Sequence, residues 1–267
     1  MKLKDKAAVT GEMPRKNIFK ALGLGLSAYI ARLSLIALLS TFMTNMLAVT
    51  IIANIAVIIL GGAYYKLCMK PFGIRIGLLD EPILNRRILA SILAIACFGI
   101  ILLQWFLHDA IWTNNSFILE SLETLRMQNG QENQVLYLAY AVLIAPIAEE
   151  ILFRGFFFRC LYEANKQTAY YTSVLFFAVV HGNIVQIIVA ALGGVLYAMI
   201  YAKTKSLRFC IAAHMLYNFL AVVLSIIVTA TGYNKFNTMV LVTFLLLILL
   251  SFVMVHRTSV SIQEQQP

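Results

Sequence analysis

The chain has 267 residues, of which 61% are hydrophobic and 12% charged, with a mean hydropathy of +0.84 and a formal charge of +9. A soluble domain carries about 25% charged residues, so this chain has too few to cover a water-facing surface and no room for a separate soluble domain. Its basic residues lie in short joints between apolar runs and form no continuous stripe or RNA-binding signature, which argues against nucleic acid and makes the lipid bilayer the solvent.

The amino terminus is basic (Lys2, Lys4, Lys6, Arg15, Lys16 and Lys20). The apolar run that follows is too long for a signal-peptide core and has no clear A-x-A site, so it reads as a retained first membrane helix. A spanning helix needs about 20 mostly apolar residues. That rule predicts an all-α, polytopic bundle of about eight helices, near 22–43, 47–66, 88–107, 134–160, 168–182, 184–203, 207–230 and 237–255. Residues 1–267 form a single membrane domain in this reading, with polar tails at 1–20 and 258–267. The fifth helix is short and is divided from the sixth only by His181-Gly182-Asn183. Cys68, Cys97, Cys160 and Cys210 form no C-x-x-C pair and read as small apolar residues, without disulfides or a zinc knuckle.

With the amino terminus inside, all but four of the 21 lysines and arginines fall on the inner side. The exceptions are Arg126 and Lys235 in outer loops, and Arg32 and Arg154 within spans. This asymmetry predicts that both termini are cytoplasmic.

Ionisable groups inside a bilayer cost about 2.5–3.5 kcal/mol each, so each needs a partner or a task. They cluster in the second half. The fourth predicted helix contains Pro146, Glu149, Glu150 and Arg154. Glu150 and Arg154 are four residues apart and share a face, which suits a structural ion pair. Glu149 is rotated about 100° away and is free to act as a general base, or merely to face a wet cavity. Pro146 deletes a backbone hydrogen bond three residues before Glu149; the bend opens room for a water there or is a tolerated membrane kink. His181, at the end of the fifth helix, is by itself more often an interhelical hydrogen-bonder than a catalyst. His214 and Asn218 share a face of the seventh helix, as paired donors for an oxyanion or as glue between helices.

Arg32, Asn54 and Gln104 read as snorkelling or interhelical hydrogen-bonding residues, and Gly193 and Gly194 as close-packing positions. Asn183 and Gln186 flank His181 and are read as standing outside the site.

Taken together, Glu149-Glu150-x-x-x-Arg154, Phe177-x-x-x-His181 and His214-x-x-x-Asn218 occur in order on three separate helices. This combination resembles the CAAX-protease and bacteriocin-processing (CPBP, or Abi) family of intramembrane endopeptidases. The resemblance covers about residues 134–220, the catalytic core. The joint from Tyr201 to Leu207 is also similar to a basic-Thr-Gly-Ser-Leu connector of that family, with Lys205 where glycine is usual. The amino-terminal half matches only in being hydrophobic.

The resemblance implies a hydrolase of membrane-associated proteins or peptides. Glu149 and His181 would activate a water, and His214 and Asn218 would stabilise the oxyanion. Glu150, Arg154 and Phe177 would support them. No cofactor is expected. There is no H-E-x-x-H, although two histidines and Glu149 leave zinc open. A non-catalytic scaffold or regulator of another membrane protein, such as a sensor kinase or transporter, is the alternative reading. A proton-coupled transporter fits less well, because no repeat with paired broken helices is visible. G-x-S-G is absent, and Asp5, Asp80 and Asp109 lie outside the spans, which disfavours rhomboid-type and aspartyl proteases. The short chain and compact loops point to a prokaryotic cell membrane.

Overall fold

The computed structural model describes residues 18–72, 134–182 and 184–231, with positions 99, 246, 249 and 253. The predicted helices at 88–107 and 237–255 fall outside the described residues. Within them every regular element is helical: α1 (Ile18–Ser40), α2 (Met46–Tyr64), a long composite helix α3 (134–164), α4 (Lys166–Val179), α5 (Ile184–Thr204) and α6 (Leu207–Thr231). Four helices are long and apolar enough to cross a membrane: Phe19–Ser40, Met46–Met69, Val135–Tyr162 and Gln186–Thr204. The protein is an integral membrane protein.

Local chemistry places the breaks. Asn45 caps α2, its side chain accepting from the Ala48 N–H at 2.8 Å. Helix α1 begins at Ile18, so residues 18–20, assigned to the polar tail by composition, are helical. The predicted gap between 160 and 168 shrinks to Asn165 alone. That residue is extended (φ −159°, ψ 116°), and its side chain accepts from Thr168 N–H at 2.9 Å to start α4. Helix α4 ends earlier than predicted, at Val179. Gly182 has φ +70°, a left-handed conformation that a side chain would strain, and His181 therefore lies in the turn between α4 and α5. The turn between α5 and α6 also needs a positive φ, and Lys205 adopts it (φ 55°).

Helix α3 is the axis of the molecule, and each of the other five helices packs on it. Helices α1 and α4 lie against its carboxyl half, α6 against its middle, and α2 bridges both regions. Two π-helical stretches, Tyr140–Ile144 and Ile151–Phe158, flank the short α-helical turn Ala145–Glu150. The core is aromatic: Phe153, Phe156, Phe157, Phe158, Phe177, Tyr197 and Tyr201 are all buried. Gly194 allows α5 to approach α4, because a Cβ there would come within 3.2 Å of the Phe177 ring. Gly193 instead leaves space for Tyr197 on its own helix. Cys160 and Cys210 are buried free thiols, and Cys68 is a partly exposed one.

Candidate active site

The π-helical turn before Pro146 sets the geometry. Ala145 N–H bonds back five residues to the Tyr140 carbonyl. The next amide in that pattern would serve Ala141, but residue 146 is proline and has no N–H. The Asn218 side chain takes that place, donating from Nδ2 to the Ala141 carbonyl at 2.7 Å. A carbonyl can only accept, so the orientation of the Asn218 amide is determined, with one N–H and Oδ1 left over. The kink expected from Pro146 thus has a specific consequence, which is to anchor Asn218 of α6 onto α3.

One turn further on, Glu150 and Arg154 are completely buried and paired, Oε1 to Nη1 at 2.9 Å. The same Glu150 oxygen lies 3.0 Å from His214 Nδ1. With Arg154 holding Glu150 as a carboxylate, His214 Nδ1 carries the proton and donates it. Arg154 also donates from Nη2 to the Gly194 carbonyl at 3.1 Å. Its guanidinium lies over the rings of Phe177 (4.3 Å) and Tyr197 (5.3 Å). Four helices are tied together by this one ion pair and its neighbours.

Glu149 points away from the pair, as the helical rotation predicts. It retains a quarter of its side-chain exposure and lies 3.8 Å from His214 Nε2. His214 thus stands between the two adjacent carboxylates, with Nδ1 on the buried one and Nε2 toward the accessible one. Tyr197 stacks on the imidazole at 4.7 Å. His181 is oriented by its own turn, because Nδ1 donates to the Phe177 carbonyl at 2.7 Å. In the neutral ring Nε2 is then the unprotonated nitrogen, an acceptor for a water proton. The Phe177 ring meets His181 edge-on at 5.1 Å and His214 at 5.8 Å, so it spaces the two imidazoles.

Glu149, His181, His214, Asn218 and Phe177 all line one cavity of about 360 Å³, and Glu150 and Arg154 lie buried behind it. The wall also includes Tyr140, Tyr197 and Gln186. Sequence reasoning missed Tyr140 and Tyr197 and set Gln186 aside. One signal for Tyr197 was available: it stands four residues beyond Gly193, in the next turn of an apolar helix. It also missed the Glu150–His214 bond, since helical spacing says nothing about a partner 64 residues away. Asn183 lies outside the described residues. Among the described residues, no group of three His, Cys, Asp or Glu side chains is arranged to hold a metal ion.

Residues 131–220 match the family model described as type II CAAX prenyl endopeptidase Rce1-like. The chain is 33% identical over 85 residues to a Bacillus subtilis protein named "Putative membrane peptidase YdiL", a stretch that is 32% of this chain and 35% of that protein. It is 32% identical over 96 residues to an uncharacterized protein of Mycoplasma capricolum subsp. capricolum, covering 34% and 28% respectively. The chain thus spans about a third of the length of the curated relatives it matches. No solved structure matches. The resemblance drawn from the three motifs holds for the segment that carries them.

Proposed function

We propose that this protein is an intramembrane endopeptidase that hydrolyses a peptide bond of a membrane-associated substrate with a glutamate-activated water. The observation that carries this reading is the convergence of Glu149, His181, His214 and Asn218 on one cavity from two helices and a turn. In this mechanism the attacking water is held by Glu149 and His181 Nε2, which line the same cavity. Glu149 takes a water proton as the oxygen forms its bond to the substrate carbonyl carbon, and the carbonyl π electrons move onto oxygen. In the transition state His214, held through Nδ1 on Glu150, presents Nε2–H to that oxyanion, and Asn218 offers its second N–H. Collapse breaks the C–N bond, and Glu149 returns the proton to the leaving amine. Glu150 and Arg154 hold His214 and do not touch substrate. On the charge distribution, we read both termini as cytoplasmic; an accessible tag at either end on the outer face of intact cells would contradict this.

The test is proteolysis in reconstituted membranes, with a library of membrane-anchored peptides as probe, comparing wild type with Glu149→Gln, with and without chelator. Cleavage by wild type alone, insensitive to chelation, is the expected result. Loss on chelation and recovery with zinc would keep the residues and replace the mechanism. Unchanged cellular function of Glu149→Gln would favour a binding partner of another membrane protein.

A further inference from the structure

Helices α1 and α2 contribute one partly buried polar chain that the chemistry above does not use. Arg32 Nε donates to Asn54 Oδ1 at 2.6 Å, and Asn54 Nδ2 donates to the Tyr140 hydroxyl at 2.9 Å. Asn54 is completely buried. The polarity of the chain follows from its first member. Arginine can only donate, so Asn54 must turn its oxygen toward Arg32 and its amide nitrogen toward Tyr140. The Tyr140 oxygen therefore accepts from Asn54, and its own O–H proton is left for another partner. A phenol oxygen that accepts one bond is a better donor of the next, and a cation at the head of the chain increases the effect.

Tyr140 lines the cavity that holds Glu149, His181, His214 and Asn218. Glu149 and His181 Nε2 serve there as acceptors, while the His214 and Asn218 donors are taken by the oxyanion. A peptide entering a water-poor cavity brings further carbonyls that need donors. The Tyr140 O–H is a donor of the wall with no assigned task.

We propose that Tyr140 binds the substrate, its hydroxyl donating to a backbone carbonyl of the bound peptide, and that Arg32 and Asn54 are positioning residues that aim it. The proposal rests on reading the cavity as a peptide site. It extends that site beyond residues 131–220, the matched segment, into the amino-terminal helices.

The experiment uses the full chain in phosphatidylcholine vesicles with single-span peptides. Tyr140→Phe keeps the ring and is expected to lower kcat/KM roughly tenfold, mainly through KM, as the loss of one neutral hydrogen bond implies. Asn54→Ala should lower it in the same way, but have no further effect in the Tyr140→Phe background, because it acts through that hydroxyl. Arg32→Lys should restore most of what Arg32→Ala loses. Wild-type kinetics in Tyr140→Phe would overturn the assignment, and so would an undiminished Asn54→Ala penalty in that background.

A second arm does not need turnover. Tyr140 is replaced by p-azidophenylalanine in the Glu149→Gln background and irradiated with labelled peptide, against the same replacement at Tyr171, which is 73% exposed. Capture at 140 above that control supports the contact even if no peptide is cleaved; the endopeptidase reading then fails alone. No capture where wild type cleaves removes Tyr140 alone. Neither capture nor cleavage removes both.

Discussion

The amino-terminal helix pair and the motif-bearing helices solve the same solvent problem differently. Helices α1 and α2 turn large apolar side chains outward, among them Phe19, Ile30, Leu38, Ile52, Ile59 and Leu60, and α2 buries a single polar side chain, Asn54. The region from α3 to α6 buries Glu150, Arg154, Ser173, Thr204, Ser206 and His214. Lipid offers no compensation for such groups, and Glu150, Arg154, His214 and the Gly194 carbonyl are joined by hydrogen bonds inside the protein. Those bonds tie α3, α5 and α6 together. The polar chain of α1 and α2 reaches the site through Tyr140.

The contrast predicts where substitutions damage chemistry and where they damage folding. The largest effect on turnover is expected for Glu149→Gln. Removing a general base typically costs about 10²–10⁴-fold, and because Glu149 is partly exposed the folded yield should be unchanged; comparable cleavage rates would end its role as base. Arg154→Ala should instead act on the fold. It leaves Glu150 buried without its cation, a loss of about 3–5 kcal/mol, read as lower detergent-solubilised yield and an earlier thermal transition. Normal yield with selective loss of turnover would move the pair into the chemistry.

Asn218→Ala straddles the two classes. It removes an oxyanion donor and also strips the Ala141 carbonyl of its partner, so a drop in kcat should come with about 1–3 kcal/mol of destabilisation. A kcat loss without a stability change would mean that the Ala141 bond contributes little. The smallest effect is expected at the turn between α5 and α6. Lys205→Gly relieves a left-handed φ that costs a side chain about 1–2 kcal/mol, offset by glycine's entropy, for a net gain below about 1 kcal/mol in a melting experiment. A lower melting temperature would show that the contact of Lys205 with the Tyr162 ring, 3.9 Å to the centroid, outweighs the strain.

Much of this was legible in the chain. The Glu150–Arg154 pair follows from i,i+4 spacing alone, and the separate aim of Glu149 from a helical rotation of about 100°. Lys205 stands where the resembled connector has glycine, and its φ of 55° supplies the reason for that preference. Arg32 and Asn54 do hydrogen-bond between helices, one of the two roles read for them; Gln104 lies outside the described residues. Harder to read were the single-residue break at Asn165 and the early end of α4, where a cap and a positive φ override a hydropathy window that averages over both.

Composition and spacing by themselves determined the membrane class, the helical architecture and the three polar clusters, because lipid penalises every unpaired charge and helical periodicity is local. Only the tertiary structure decided which ring nitrogen of His214 meets which glutamate, and that Asn218 replaces the proton Pro146 lacks. It also brought Arg32, Asn54 and Tyr140 into one directed chain. Those contacts join residues 22 to 86 positions apart. Such partners are chosen by the packing of helices in three dimensions, which no local pattern encodes.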